Sequence, residues 1–510
     1  MIIFYLTLFL FILGHSFILR DLDYDFFARL IVGKTFFQTG DVMKWDFLSY
    51  TPTHEFIDHE WGSSLIFYTL QNNFGDIGLL FFKAIMYFLI FFIITQTIKL
   101  KTPKTKLNFL FFLVGINAIP MLLFSNVRCQ IFSFFFFVLW LYTLERIRIN
   151  NETRLFWIFP ATMLIWGNLH GGCFAGFGLL VMYIIGEFLN KKPIKNYIIT
   201  LFASTFVLLI NPYGLPYLEF LLSATTMKRE LITEWQKTFS FHGIFTCWRY
   251  ILYSTFFVIV SIFIARKKLK SELGDKKINK ENLKELWDKV DKTKIVILII
   301  TYLMALKAIR LQVFFIFAIC VFLYDDFYYL FSKKLPQKID KIKEVVLFLA
   351  MIVFATNLIY SSKFQCTFGD LPVAEVEFIK LNKLKGNVLC EFHHGSYAAY
   401  KLYPHNLIFM DGKYEEVYPN ELIYSLKKLN RTKDGWKNDI VKYNTDILIV
   451  SNIYPIYKTL QEDKDFHEVM RSGLGGVFVK TKDLKSHYLT PNTTAEHYIK
   501  TKYETEINWY

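Results

Sequence analysis

The chain has 510 residues, of which 54% are hydrophobic and 55 are phenylalanine, and its formal net charge is +14. The apolar residues occur in long blocks, which excludes an ordinary soluble protein and indicates a multi-pass membrane protein. Basic loops between spans account for the positive charge, so we predict no nucleic-acid partner. The six cysteines lack zinc-site spacing, and the sequence leaves open whether Cys366 and Cys390 pair.

Apolar runs of about 15–21 residues predict membrane-spanning helices. We predict about eleven transmembrane helices, at residues 2–19, 78–98, 107–125, 131–148, 155–170, 172–190, 197–212, 249–265, 294–310, 311–327 and 344–360. The first run lacks the basic start and the cleavage site of a signal peptide, so we expect it to be retained as a span.

Lysine and arginine concentrate in every second connection between these spans, which predicts that those connections are cytoplasmic. The basic connections are at residues 99–106, 146–154, 191–195, 266–294 and 333–343. The segment 266–294 is predicted to be a solvated amphipathic linker, and a helix that binds a partner or anionic lipid is the alternative. The remaining connections are then predicted to lie on the outer side.

Two domains are predicted from composition. Residues 1–360 form a transmembrane domain with an acidic first outer loop at 20–77, and residues 361–510 form a C-terminal extracytoplasmic domain. In the second domain we predict strands at 387–392, 406–410, 446–450 and 475–480. Between them we predict helices at 397–403, 419–429 and 454–462. This alternation indicates a small α/β domain with a largely parallel sheet.

The first outer loop carries two polar clusters: Asp21, Asp23 and Asp25, then Asp58, His59, Glu60 and Trp61. Carboxylates at alternate positions can share a divalent cation, or one can act as a base while its neighbour raises its pKa. Helix capping is the alternative, which we favour for Asp21. For Asp25 we favour function, because it begins a segment predicted to be a helix along the membrane surface. A solvated loop without function also stays open.

A second polar set lies where apolar runs meet the predicted outer interface: Arg128, Gln130, Asn168, His170, Asn211, Glu234, Trp235 and Arg310. An arginine at a span end is often an anchor that reaches toward water. The positive-inside bias nevertheless predicts few outer arginines, so Arg128 and Arg310 favour a phosphate or carboxylate partner. The turn His170, Gly171 and Gly172 brings backbone close to whatever binds there.

Short motifs run through most of the chain: DYDFFARLIVGKTFFQTGD, DFLSYT, IDHEW, VRCQIFS, WGNLHGG, INPYG, TEW, the turn at Arg310, and FMDGKYEE. Together they resemble bacterial multispanning glycosyltransferases of the GT-C type, relatives of protein mannosyltransferases, aminoarabinose transferases and oligosaccharyltransferases. The resemblance implies a GT-C-like fold, a polyprenyl-phosphate-linked sugar as donor, and a catalytic aspartate in the first outer loop. Asp23 and Asp25 occupy the matching positions, and Arg29 stands where many relatives have histidine.

We therefore predict a glycosyltransferase that moves a sugar from a polyprenyl-phosphate-linked donor to an unspecified acceptor on the outer face of the cell (plasma or inner) membrane. The predicted catalytic residues are Asp23, Asp25 and Glu60, with Asp23 and Asp25 also as candidate ligands of a divalent cation. The predicted substrate-binding residues are His59, Arg128, Gln130, Asn168, His170, Glu234 and Arg310.

Two other classes of function stay open. One is a transporter or flippase for a polyprenyl-linked glycan. No span shows a clear charged residue at mid-membrane depth and no inverted repeat is visible, which disfavours it. The other is a non-catalytic envelope assembly protein whose C-terminal domain is its active part.

Overall fold

The computed structural model describes residues 2–18, 20, 22–103, 127–224, 233–273, 287–331, 337–363, 365–413 and 416–481. Asp21, the predicted span at 107–125, part of the segment 266–294 and the end of the tail from 482 lie outside these residues. The chain divides into two compact units. The helical unit comprises Met1–Leu19, Leu80–Ser125 and Cys129–Phe364, and the loop–tail unit comprises Arg20–Leu79, Asn126–Arg128 and Gln365–Tyr510.

The first part of the chain is helical. Its described helices are α1 (Ile2–Ile18), α2 (Tyr24–Thr39), α3 (Trp61–Lys101), α4 (Gln130–Asn150), α5 (Ile158–Leu169), α6 (Phe174–Leu189), α7 (Lys195–Val207), α8 (Leu215–Ala224), α9 (Phe241–Leu273), α10 (Lys292–Lys307), α11 (Gln312–Phe322), α12 (Tyr324–Phe331) and α13 (Gln337–Ser362). Short 3₁₀ turns lie at Thr153–Trp157, Gly171–Cys173, Thr233–Trp235 and Ile309–Leu311. Helix α3 is kinked at Gly75, whose φ of 59° is accessible to glycine at little cost.

Four of the described helical segments are long and apolar enough to cross a membrane: Trp61–Lys101, Gln130–Asn150, Gly171–Leu189 and Val345–Ser362. Shorter apolar segments are Ile2–Ile18, Leu215–Ala224 and Ile309–Phe322. These segments identify a multi-pass membrane protein. The predicted number of eleven spans is not confirmed by the described residues, in which several apolar helices are shorter than a bilayer requires.

Close packing organises the helical unit. Helix α1 packs on α13 at Gly14, where an added Cβ would lie 2.5 Å from a ring carbon of Phe354. Helix α6 approaches α10 in the same way, because a Cβ on Gly186 would lie 2.4 Å from Thr293 Oγ1. Helix α11 is buried along its whole length. The core of this unit therefore depends on glycines at helix crossings as well as on large apolar side chains.

Buried charges at the helix ends of this unit are paired. Arg148 donates to Glu145 at 2.8 Å, to Glu187 at 2.7 Å and to Asp291 at 2.8 Å. Glu145 and Glu187 are 0% and 3% exposed, so this pairing is needed for them to be buried as ions. The end of α4, the end of α6 and the start of α10 meet at this cluster.

The loop–tail unit contains a four-stranded sheet. Its strands are β1 (Val388–Leu389), β2 (Ile447–Ser451), β3 (Phe466–Arg471) and β4 (Gly475–Lys480), in the order β1-β2-β4-β3. The pair β1 and β2 is parallel, whereas β4 is antiparallel to both β2 and β3. The prediction of a largely parallel sheet is therefore wrong. The cause is β3, a strand with a polar sequence that escaped prediction and forms a hairpin with β4.

The described residues of the tail also form helices. They are α14 (Val373–Leu381), α15 (Phe392–Leu402), α16 (Asn420–Asn430), α17 (Asn438–Lys442) and α18 (Pro455–Gln461). The helices predicted at 419–429 and 454–462 match α16 and α18, whereas the one predicted at 397–403 covers only the second half of α15. Cys366 and Cys390 are both buried, and they are not joined by a disulfide bond.

The first loop belongs to the same compact unit as the tail. Tyr50 N donates to Ile408 O at 3.1 Å, Ile408 N donates to Leu48 O at 2.9 Å, and His54 N donates to Val417 O at 2.7 Å. Ile408, the centre of the predicted strand 406–410, forms parallel bridges with both Ser49 and Val388. These contacts show which loop residues an isolated tail would lack.

Candidate functional site

The start of α2 positions the aspartates of the first cluster. Asp23 is the N-cap, and its Oδ1 accepts a hydrogen bond from Asp25 N at 3.0 Å. Its other oxygen accepts a hydrogen bond from Arg128 Nη2. Asp23 is 8% exposed, so both oxygens of a nearly buried carboxylate are already used. The sequence assigned capping to Asp21, which lies outside the described residues, whereas Asp23 is the observed cap.

Asp25 is an exposed carboxylate in the first turn of α2. Its Oδ1 lies 3.2 Å from the position that a Cβ on Gly412 would occupy. Gly412 N donates to Ser396 Oγ at 3.2 Å, which fixes this backbone. The motif FMDGKYEE is therefore next to Asp25, and the glycine in it leaves room for the carboxylate.

The second cluster of the loop surrounds Arg29, which lies one turn further along α2. Arg29 Nη1 donates to Asp58 Oδ1 at 2.5 Å, and Arg29 Nε lies 3.5 Å from Glu60 Oε2. Asp58 is fully buried and also accepts from Glu60 N at 2.9 Å. Arg29 is thus the charge that allows Asp58 to be buried.

His59 connects this cluster to the tail. Its Nε2 lies 3.7 Å from Glu60 Oε1, and its Nδ1 lies 3.6 Å from Glu416 Oε2. The three side chains are between 16% and 19% exposed, so the group is accessible to a polar ligand. Glu416 belongs to the motif FMDGKYEE, and sequence reasoning missed it as a site residue.

Sequence reasoning missed a buried network of charged and polar side chains around the motif FMDGKYEE. Lys413 Nζ donates to Asp411 and lies 3.7 Å from Asp46 Oδ2, and Tyr418 OH donates to Asp46 Oδ2 at 2.8 Å. Burial raises the pKa of Asp411, and the charge of Asp46 adds to this. Burial opposes the charge on Lys413, but Asp411 and Asp46 outweigh it and raise its pKa. An ammonium between two carboxylates holds this part of the tail against residue 46.

Tyr24, next to Asp25, contacts another polar group. Its hydroxyl donates to Asp370 Oδ1, and its ring lies against His393 with centroids 4.8 Å apart. Burial, and then the charge of His393, lower the pKa of His394 to about 3. Burial also lowers the pKa of His393 and raises that of Glu391 to about 7. The sequence offered only the adjacent histidines as a signal, since Asp370 is distant in the chain.

In the helical unit, His170 caps the 3₁₀ turn Gly171–Cys173. Its Nδ1 accepts from Gly172 N at 3.1 Å and lies 2.6 Å from Ser133 Oγ. Ser133 Oγ accepts from Trp166 Nε1 at 2.7 Å, so its own proton points to Nδ1. The neutral ring proton of His170 is therefore on Nε2, which makes that nitrogen a donor.

Arg310 and Glu234 are brought near each other by backbone pairing. Ile309 N donates to Gln236 O at 3.1 Å, and the guanidinium of Arg310 lies 5.0 Å from the ring centroid of Trp235. This is a cation–π contact. The motif TEW and the turn at Arg310, distant in sequence, are thus neighbours in the fold.

The other two predicted residues of the helical unit have local environments. Asn168 Nδ2 donates to Leu164 O at 2.8 Å and to Ile210 O at 3.1 Å, which ties the end of α5 to the segment after α7. Gln130 begins α4, and its Oε1 is buried without a hydrogen-bond partner among the described residues.

The predicted site residues therefore divide between the units. The loop–tail unit holds Asp23, Asp25, His59, Glu60 and Arg128. The helical unit holds Gln130, Asn168, His170, Glu234 and Arg310. Within the first unit, Arg128 is brought to Asp23 and His59 to Glu60. Convergence of all ten on one substrate stays a prediction.

The fold is similar to that of a known glycosyltransferase structure. That structure is the archaeal oligosaccharyltransferase AglB from Archaeoglobus fulgidus in complex with an inhibitory peptide and a dolichol-phosphate. The TM-score is 0.50 at 10% identity, and the match covers 88% of this chain and 69% of that chain. The fold is GT-C-like.

At this low identity the likeness concerns the fold alone. No protein-family model and no curated protein matches the chain. The GT-C-like fold expected from the motifs is confirmed, and membership of a bacterial subfamily stays a prediction.

Proposed function

We propose that this protein is a membrane glycosyltransferase that transfers a sugar from a polyprenyl-phosphate-linked donor to an acceptor on the outer face of the cell membrane. The observation that carries the proposal is the exposed carboxylate of Asp25 at the start of α2, beside a glycine that leaves space for it. The GT-C-like fold supports the same class of reaction. The C-terminal residues are proposed to be extracytoplasmic.

Asp25 is the proposed general base. Glycosyl transfer needs a group that accepts the proton of the attacking acceptor, and an accessible carboxylate can do so. Asp23 is less suited to that role, because it caps α2 and pairs with Arg128. We assign Asp23 to holding the turn in which Asp25 lies. Glu60, with His59, is proposed to orient the acceptor.

The departing lipid phosphate needs fixed cations and hydrogen-bond donors, because negative charge grows on it during transfer. Arg310 is the proposed cation of the helical unit, and the Nε2 proton of His170 is a proposed donor. Gln130, Asn168 and Glu234 are proposed to contribute to substrate binding. The dolichol-phosphate in the AglB complex supports a polyprenyl phosphate as the lipid class.

A divalent cation held by Asp23 and Asp25 is a second possible use of these carboxylates. The two hydrogen bonds on Asp23 favour the simple base, since a cation would have to compete with Arg128. Treatment with EDTA separates the two roles. A base-only site keeps its activity, whereas a site that depends on a cation at Asp25 loses it and regains it with added Mg²⁺ or Mn²⁺.

The direct test uses purified protein in liposomes that contain a polyprenyl-phosphate sugar labelled in the sugar, with an extract of the producing cells added as the source of acceptor. The label is followed into water-soluble or protein acceptors after extraction of the lipid, and the donor's leaflet is followed in parallel by its accessibility to periodate. We expect loss of label from the lipid. Movement of intact donor between leaflets without transfer would contradict the proposal and would support the flippase alternative.

A further inference from the structure

Three side chains that can bind a metal ion come together in the loop–tail unit. Asp370, His393 and His394 each offer one ligand atom, and these atoms lie within 4.8 Å of one another. His393 and His394 lie in the first turn of α15, and Asp370 precedes α14. The group is thus assembled by folding from separate parts of the tail.

His394 supplies the observation that points to a ligand. The residue is 7% exposed, and its Nε2 is buried with no hydrogen-bond partner among the described residues. Leaving a buried polar atom without a hydrogen-bond partner costs free energy. A bound metal ion would provide the partner that this nitrogen lacks among the described residues.

The surrounding contacts hold the rings and the carboxylate in place. His393 Nε2 lies 3.4 Å from Glu391 Oε2, and Tyr24 OH donates to Asp370 Oδ1. Metal-binding histidines commonly have one nitrogen held by a carboxylate or a backbone carbonyl while the other binds the metal. His393, beside Glu391, has a neighbour of that kind.

The ligand set indicates the kind of ion. Two imidazoles and one carboxylate suit Zn²⁺ and similar transition metals better than Mg²⁺ or Ca²⁺, which prefer oxygen ligands. Ligand atoms around a tetrahedral zinc with bonds of about 2.0–2.1 Å lie about 3.4 Å apart. The ligand atoms of the group lie within 4.8 Å of one another, so small side-chain shifts on binding would bring them to that spacing.

We propose that Asp370, His393 and His394 bind one divalent transition-metal ion of the Zn²⁺ type, with a fourth position left for water. The ligands of this site are other residues than Asp23 and Asp25, and its existence does not depend on the proposed glycosyl transfer. The competing explanation is simple packing, because the two histidine rings also contact each other with centroids 4.1 Å apart.

The test titrates ZnCl₂ into the full-length protein, purified in detergent with a tag that lacks histidine and stripped of metal with a chelator. Binding is measured by competition with a chromophoric chelator, and CoCl₂ gives a second readout from its visible absorption. We expect one Zn²⁺ per chain. Asp370→Asn and His394→Gln should each weaken binding at least about tenfold, and Glu391→Gln about ten- to hundredfold as a second-layer partner.

His467→Gln is the matched control, since His467 is an exposed histidine on β3 of the same unit. Its Zn²⁺ affinity should equal that of the wild type. If His394→Gln does not fold, Asp370→Asn decides the question, because it changes an exposed side chain. Equal Zn²⁺ affinity in wild type and Asp370→Asn, or no stoichiometric Zn²⁺ in the wild type, would overturn the proposal and leave packing as the role of the two rings.

Discussion

Arg128 donates a hydrogen bond to the carboxylate of Asp23, the residue that caps α2. The two side chains are 18% and 9% exposed, so water screens the pair poorly. The two neighbouring aspartates therefore have different roles. Asp23 accepts hydrogen bonds from Asp25 N and from Arg128, which fix its carboxylate. Asp25, in the first turn of α2, presents its carboxylate to solvent.

The first prediction concerns this pair. Arg128→Gln and Asp23→Asn should each lower the apparent Tm in detergent, because each leaves a poorly solvated partner. The double variant should be no less stable than the worse single variant, with a coupling free energy of about 1–3 kcal/mol. Arg154→Gln, at an exposed arginine, is the control and should have little effect. Strictly additive losses in Tm would show that the pair is not coupled.

A second prediction concerns the turn at His170. A Cβ on Gly172 would lie 2.5 Å from both His170 Nδ1 and Ser133 Oγ, so Gly172→Ala should displace the ring and lower the Tm. Gly178→Ala is a matched control in α6, since a Cβ there meets nothing within 4 Å. Alanine is the better helix former by about 1 kcal/mol, so the control should be neutral or stabilising. Equal Tm values for both variants would contradict the prediction that a side chain at position 172 displaces the His170 ring.

The third prediction concerns the buried ammonium of Lys413. Lys413→Met should destabilise the fold by about 3–5 kcal/mol, because it leaves the carboxylates of Asp411 and Asp46 buried without their cation. Adding Asp411→Asn should recover part of the loss by removing one of those charges. Lys433→Met, at an exposed lysine of the same unit, should change little. Unfolding in denaturant, followed by tryptophan fluorescence, provides the comparison.

Particular residues show how far sequence reasoning reaches. The helices α15, α16 and α18 were predictable, because a helical pattern is local and repeats within a few residues. The N-cap was placed at Asp21 rather than Asp23, since aspartates at alternate positions give equivalent signals until the first helical turn is known. Strand β3 was missed because FHEVMR alternates weakly and only its pairing with β4 makes it a strand.

The site residues show a similar limit. The sequence singled out Asp23, Asp25, Arg128 and the motif FMDGKYEE from their types and places. It did not indicate that Arg128 would pair with Asp23 or Arg29 with Asp58. Those pairings join positions far apart in the chain, and the spacing of charges in one segment carries no information about them.

The fourth prediction is topological. The alternation of basic loops predicts that a single cysteine at Lys191 is shielded from an impermeant thiol reagent in intact cells, whereas one at Asp434 reacts. Both positions are exposed, and the native Cys129, Cys173, Cys320, Cys366 and Cys390 are buried. Both variants are made in a protein with Cys247 changed to Ser, so that the remaining native cysteines are the buried ones. Positions Thr102 and Ser271 should be shielded like Lys191, and Ser486, outside the described residues, should react. Labelling of the cysteine at position 191 in intact cells would contradict the proposed orientation.

The measurement that tests the central proposal most directly is sugar transfer from the polyprenyl donor by Asp25→Asn. The change keeps size and hydrogen bonding but removes the charge, so turnover should fall by about a hundredfold or more, as for the loss of a positioned base. Asp41→Asn, at an exposed aspartate of the same loop, should keep wild-type activity. Turnover near the wild-type level in a folded Asp25→Asn protein, shown by an unchanged Tm, would contradict the assignment of Asp25 as the base.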